Sequence, residues 1–375
     1  MNVQEILRLV GYPSDYLVLD FESYYDAKYS LSKMSAIEYI KDERWECLGC
    51  GFYSSRTGAE WFVKPDELTH FFIKSEQDNT LTNYINFNNY TVVAKNSKFD
   101  ILVLKEVFGI VPPYIIDTED LSRHLDSRDK QTLKHQAVKY KLGVKGDTAD
   151  FKGLHWDDMD GTTRKDLVEY CLNDIDLERQ LFELLLPQLT NPTLEVPLMR
   201  HTLDIYLHPM IEFDFVKADE LKLDMHEEMI AVIAKTGHEC PSISKDGSFK
   251  KILQDALPDG ENVPVKQGKR GTIMALAQGD EGRKTLLEHP DEKVRDLMLA
   301  RIAVRSWPLH IKRVTKLIAQ ATANGGKLAV PLKYYGGHTG RWSGAGGINL
   351  QNLGGKGRGK PIHHLIAAVR GLLRA

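Results

Sequence analysis

The chain has 375 residues, 27% charged and 42% hydrophobic, with a formal net charge of −3. That is room for two or three domains with sizeable cores. It also excludes a membrane span, since no apolar run reaches about 18 residues, and four cysteines without a secretory start exclude a disulfide scaffold and fit a reducing cytoplasm. Charge is unevenly placed: thirteen Lys and Arg, and no Asp or Glu, follow Asp296, which leaves −16 on residues 1–296. An acidic front joined to a basic end suits a protein that handles a phosphate polymer.

The first region alternates strands and helices. Tyr16–Glu22 reads as a buried strand, with further strands at 46–53 and 90–95 and a hairpin partner at 58–63. On a strand, Asp20 and Glu22 leave one face while Phe21 points into the core. Helices are expected at 66–74, 79–87, 97–107, 131–141 and about 162–187, and Asp117 reads as the N-cap of another. Asn96-Ser-Lys-Phe-Asp100 follows the apolar run Thr91-Val-Val-Ala. Tyr170 and Asp174 fall one turn apart on one face of the long helix. Four carboxylates and a phenol therefore come from three elements. Carboxylate oxygens are hard ligands suited to Mg²⁺ or Mn²⁺. Two such ions would stabilise both the attacking and the leaving oxygen of an in-line displacement.

At these residues the chain resembles the proofreading 3′→5′ exonuclease family, in its tyrosine-containing (DEDDy) subclass. Asp20-Phe-Glu22 matches the first motif, Asn96 to Asp100 the second and Tyr170 to Asp174 the third. The resemblance implies an RNase H-like α/β domain, a mixed sheet flanked by helices, over residues 1–190. It implies catalysis by Asp20, Glu22, Asp100, Tyr170 and Asp174, with the four carboxylates converging on two metal ions and Asp20 bridging them. Asn96, Phe21 and Phe99 are the expected substrate contacts, the two rings placed to stack on the last bases. Single-stranded DNA 3′ ends are the expected substrate.

Pro187-Gln-Leu-Thr-Asn-Pro192 marks a boundary. Beyond it, 191–330 is mostly helical: 194–208, 217–235, 248–256, 271–277 and 291–324, the last interrupted near Pro308. Met210-Ile-Glu-Phe-Asp-Phe-Val-Lys resembles the short β segment that follows the exonuclease in family A DNA polymerases, the polymerase I type. In that family the helices here form a thumb.

Residues 331–375 form a basic, glycine-rich segment. Thr339-Gly-Arg-Trp-Ser and Asn349-Leu-Gln-Asn resemble the family A signature whose side chains hold primer–template in the minor groove. The resemblance implies DNA contacts from Thr339, Arg341, Asn349, Gln351, Asn352, Lys356, Arg358 and Lys360. The family's palm and fingers would lie downstream. The expectation is therefore the front half of a split or truncated polymerase, phage-like in layout and cytoplasmic. It would trim primers without extending them and pair with a second polypeptide supplying palm and fingers. The apolar residues after 350 have no evident core, so the segment beyond about 335 is expected to be mobile or self-associated without that partner. A free-standing RNA 3′-exonuclease of the RNase D type and a non-catalytic DNA-binding subunit are the alternatives. Cys47-Leu-Gly-Cys50 lacks a second ligand pair for zinc. Gly354-Gly-Lys-Gly-Arg-Gly-Lys360 runs into Pro361 where a P-loop needs Ser or Thr.

Overall fold

A computed structural model describes residues 1–72, 85–269, 271–346, 349–353 and 363–374. The chain divides into two compact units, Met1–Ile211 with Ala319–Gln351, and Glu212–Ile318 with Asn352–Ala375.

The first unit is built on a five-stranded mixed sheet. Its elements in chain order are α1 (Val3–Leu9), β1 (Tyr16–Ser23), α2 (Ala36–Ile40), β2 (Cys47–Ser54), β3 (Ala59–Val63), α3 (Pro65–Phe72), β4 (Thr91–Ala94), α4 (Lys98–Phe108), β5 (Ile115–Asp117), α5 (Thr118–Leu125), α6 (Leu133–Tyr140), α7 (Gly161–Leu185) and α8 (Pro192–Leu207). The strand order is β3-β2-β1-β4-β5. The hairpins β1–β2 and β2–β3 are antiparallel, and β1–β4 and β4–β5 are parallel. Alternation along β1 sorts its side chains as expected. Leu17, Leu19 and Phe21 enter one core with Ile101 and Leu104 of α4. Tyr16 and Val18 enter another with Ile175, Leu181 and Phe182 of α7. The sheet is thus covered by helices on both faces, with Asp20 and Glu22 continuing the α7 face. This is the expected RNase H-like arrangement.

The expected boundary near 190 is displaced. Helix α8 stays with the first unit because Val196, Met199, Leu203 and Leu207 are buried in its cores. Residues 319–351 return to the same unit. Their conspicuous element is a hairpin pairing Leu332–Lys333 with Ser343–Gly344. It is anchored by Tyr334, whose hydroxyl donates to Glu195 of α8, and by Trp342 Nε1, which donates to Thr202 Oγ1 at 2.8 Å.

The second unit is mostly helical, with helices at Phe215–Ala234, Asp246–Ala256 and Glu281–Leu287 and most of the helix Glu292–Ala323. Its core gathers Ile243, Phe249, Leu253, Leu286, Val294 and Met298. Two expectations fail here. Residues 271–277 are not a helix: Gly271–Met274 pairs antiparallel with Val265–Gly268, and the β-branched Thr272 and Ile273 suit a strand. The last helix runs unbroken through Pro308, because Val304, Trp307, Val314 and Leu317 are buried along it and hold both halves. The helix expected at 79–87 falls largely outside the described residues; Phe87–Asn89 is a single 3₁₀ turn.

The tail is also corrected. Leu353, Leu365, Val369 and Leu372 are all buried. Leu373 and Arg374 pair with Phe213 and Glu212, and Arg374 bridges to Asp214. The described part of the segment after 350 therefore has a core within this chain. No described helix is long and apolar enough to cross a membrane.

Candidate active site

The site is assembled where β1, α4 and α7 meet. In the β1–β2 register Asp20 stands opposite Gly51. A Cβ on Gly51 would lie 2.6 Å from Cys171 Sγ and 3.0 Å from Ile175. Glycine is therefore required for α7 to press this closely on the sheet beside Asp20. The ligand atoms of Asp20, Glu22 and Cys171 all lie within 4.8 Å of one another. Cys171 is buried and its thiol is pushed up, first by burial and then by Glu22 and Asp20.

Asp100 is buried on the first turn of α4, and Phe21 N–H donates to its Oδ1 at 3.1 Å. That position depends on Asp117. Its carboxylate caps α5 by accepting from Glu119 N–H at 2.8 Å, and it also accepts from Asn96 N–H (3.0 Å), Ser97 N–H (2.9 Å) and Ser97 Oγ (3.0 Å). One side chain thus ties two helix starts together. Asn96 itself is exposed, with φ at +54°.

Asp174 and Tyr170 lie on α7 as expected, and Asp174 is buried. Asp174 Oδ1 is buried without a hydrogen-bond partner. Its Oδ2 accepts from Lys145, whose ammonium also lies 2.5 Å from the Tyr170 hydroxyl. Asp100 and Asp174 are not in the Asp20–Glu22–Cys171 group; Asp100 accepts from the Phe21 amide and Asp174 from Lys145.

Burial pushes Asp20 up to about 6, against the pull of Lys145. Glu22 is pushed up to about 8 by burial, then by Asp20. Burial, then Asp20, holds Asp100 well above the usual carboxylate range. Burial, then Glu22 and Asp20, also raises Tyr170, so it is a neutral phenol at ordinary pH. Crowded, desolvated carboxylates with one buried oxygen unsatisfied are what a divalent cation would relieve. The donor set, oxygen-rich and acidic, fits such an ion.

Two substrate contacts come out differently. Phe21 is 4% exposed and packs on Phe72 and Phe108, so its ring cannot stack on a base. The alternation that turns the half-buried Asp20 and Glu22 toward α7 is the same one that buries Phe21 in the opposite core. Phe99 is half-buried beside Tyr39 and Trp45. Two participants had no motif. Lys145 sits in an irregular loop. Glu178, one turn past Asp174, is buried, accepts from Thr118 Oγ1 at 3.3 Å, and is held well above the usual carboxylate range by burial, then by Asp20 and Asp100. The i+4 step from Asp174 was the available signal for Glu178.

In the basic segment Thr339, Arg341, Asn349 and Gln351 are exposed and Asn352 is half-buried; Lys356, Arg358 and Lys360 lie outside the described residues. A cleft of about 980 Å³ within the second unit is lined by Arg283, Arg301 and Arg305, but Arg301 and Arg305 are already paired with Asp246.

Residues 61–190 match the family model described as 3′-5′ exonuclease, of the DNA polymerase A family. The match covers about a third of the chain and spans the segments carrying Asp100, Tyr170 and Asp174. It supports a nuclease. No curated protein matches the chain. Among solved structures, the chain is similar to the POL domain of Pol1 from M. smegmatis in complex with DNA primer-template and dNTP, with a TM-score of 0.59 and 14% identity. That likeness, which is one of fold, covers 99% of this chain and 56% of the other, so the chain spans little more than half the length of the polymerase domain it matches.

Proposed function

We propose that this chain is a metal-dependent 3′→5′ exonuclease of the DEDDy class that trims single-stranded DNA ends. The observation that carries the reading is the buried Asp174 oxygen left without a partner, one turn from Tyr170, with Lys145 bonded to both residues. Asp20, Glu22, Asp100 and Asp174 would hold two Mg²⁺ or Mn²⁺ ions, which when bound supply an activated water and charge neutralisation at the leaving oxygen. The Tyr170 hydroxyl, kept neutral by burial, donates or accepts a hydrogen bond and so orients water without taking its proton. Glu22 would meet the terminal 3′-hydroxyl. Phe99 and Asn96 flank α4 at its start, where the last base would lie. The product would be a nucleoside 5′-monophosphate.

The hairpin tip and the residues after it, Thr339, Arg341, Asn349, Gln351 and Asn352 with Lys356, Arg358 and Lys360, are assigned to primer–template duplex. Support comes from the exposed Arg341, Asn349 and Gln351, and from a structural neighbour that is itself bound to DNA primer-template. Primer extension is not assigned to the residues present.

Digestion of labelled DNA and RNA oligonucleotides with Mg²⁺ tests the reading. The wild type should shorten DNA from its 3′ end, and Asp20→Ala and Asp174→Ala should not. Tyr170→Phe should slow cleavage by roughly 10–10³-fold. Faster digestion of RNA than of DNA, or undiminished DNA digestion by Asp20→Ala, would overturn it.

A further inference from the structure

The loop Leu142–Thr148 between α6 and α7 has no regular structure, yet its course is closely determined. At Gly143, φ is +154° and a Cβ would come within 2.9 Å of Leu177. At Gly146 a Cβ would sit 3.0 Å from the Tyr170 ring. Two glycines therefore let the loop lie flat on α7 where side chains would hold it off. Asn173 Nδ2 pins it by donating to Val144 O at 3.2 Å, and the Tyr25 hydroxyl donates to Thr148 O at 2.7 Å. The residue delivered between the glycines is Lys145. Its ammonium bonds Asp174 Oδ2 and the Tyr170 hydroxyl, with the side chain 23% exposed. Burial lowers its affinity for a proton, and Asp20 and then Glu22 act against that.

We infer that Lys145 is the resident counter-cation of the carboxylate site: it holds Asp174 Oδ2 while no divalent ion is bound, opposes an ion arriving at the open Oδ1, and withdraws when the ion takes the carboxylate. An ammonium has three donors and no acceptor, so it satisfies carboxylates but cannot help ligate a metal. It covers Oδ2 and leaves only Oδ1 open to an ion, and two cations on one carboxylate repel. The four-carbon stem is flexible and partly exposed, so the head can move to water without unfolding the loop. Lys145 thus positions Asp174 and sets the ion concentration at which the site fills. The inference rests on the nuclease reading for what the ion does, but its test does not depend on DNA.

The test is calorimetric titration of Mn²⁺ into the metal-stripped full chain, wild type against Lys145→Met, which keeps the stem, and Lys145→Arg, which keeps the charge. Lys145→Met should tighten the weaker binding event about tenfold, the effect of one nearby charge expressed as a pK unit. It should also melt at lower temperature without metal and regain stability with Mn²⁺. Lys145→Arg should not tighten binding. A measurement on the wild type alone serves if the variants do not fold: acetylation of Lys145, read by mass spectrometry, should accelerate when Mn²⁺ is added. Unchanged or weaker Mn²⁺ binding by Lys145→Met, or Lys145 acetylation that Mn²⁺ leaves unchanged or slows, overturns this inference alone. A wild-type chain that binds no Mn²⁺ overturns it together with the nuclease reading.

Discussion

Asp117 is the residue on which the geometry at Asp100 depends, and Asp117→Ala is the sharpest perturbation available to test that. The carboxylate is 5% exposed at the end of β5 and accepts four hydrogen bonds. Loss of the cap on α5 costs about 1 kcal/mol. Ser97 is 1% exposed, so its N–H and hydroxyl would be left without water, at roughly 1–3 kcal/mol for each buried group unsatisfied. Asn96 is exposed and its N–H can turn to solvent at little cost. The sum is about 3–7 kcal/mol, a large part of the roughly 5–15 kcal/mol that holds a domain together. Asp117→Asn keeps one oxygen acceptor and the volume, and should lose about half as much.

Urea unfolding followed by tryptophan fluorescence is the assay. Four of the five tryptophans, Trp45, Trp61, Trp156 and Trp342, lie in the first unit, so the signal reports mainly on it. The midpoint should fall while the slope is kept. Mn²⁺ binding should weaken as well, because the Asn96–Ser97 turn that starts α4 loses its anchor. A loss under about 1 kcal/mol for Asp117→Ala, or equal losses for Ala and Asn, would refute the claim that this carboxylate ties the two helix starts together.

The remaining expectations concern charge and packing. In the metal-free chain Asp20 and Glu22 are raised to about 6 and about 8, so between about pH 4 and pH 8 the folded state binds more protons than the unfolded one, and stability must fall as pH rises, by up to about 1.4 kcal/mol per pH unit for each carboxyl. Thermal melts with a chelator at pH 4.5, 6 and 8 check this: Glu22→Gln should gain on the wild type between pH 6 and 8, and a gain that shrinks there would contradict the burial argument. Gly51→Ala places a Cβ against Cys171 and Ile175, an overpacking worth about 1–3 kcal/mol. Cys171→Ala should relieve part of it, and a double-mutant cycle in urea that came out additive would mean the two do not meet.

Much of the first unit was legible because its signals are local. The alternation of Tyr16–Glu22 fixed which face carries the carboxylates, and the apolar run at 91–94 placed the strand before Asn96. The i+4 step placed Tyr170 with Asp174. Asp117 was legible as a cap, but its hold on Ser97, 20 residues away in the chain, was not. Helix α1 was missed although its capping box, Asn2 with Glu5, was in plain view. Short, β-branched Thr272-Ile273 was misread because a few apolar residues do not distinguish a strand from a helix.

The harder failures share one cause: they turn on what a side chain meets across the fold. Phe21 was given two incompatible duties, core and base stacking, and only the neighbouring rings of Phe72 and Phe108 decide between them. The tail after 350 looked coreless because the residues that cover it lie far back in the sequence, around Phe213. Lys145 is the extreme case. Nothing distinguishes one lysine among 49 Lys and Arg, and no periodicity applies in an irregular loop. What marks it is the spacing Gly143-Val-Lys-Gly146, two positions where a Cβ would collide with the helix carrying Tyr170 and Asp174. A glycine pair closely flanking a charged residue, just before a helix that carries metal-binding carboxylates, is a pattern with a mechanism: it brings backbone, and with it one side chain, closer than other residues permit. Read that way, the loop between α6 and α7 carries a sequence signal after all, but its meaning appears only once α7 is known to lie beneath it.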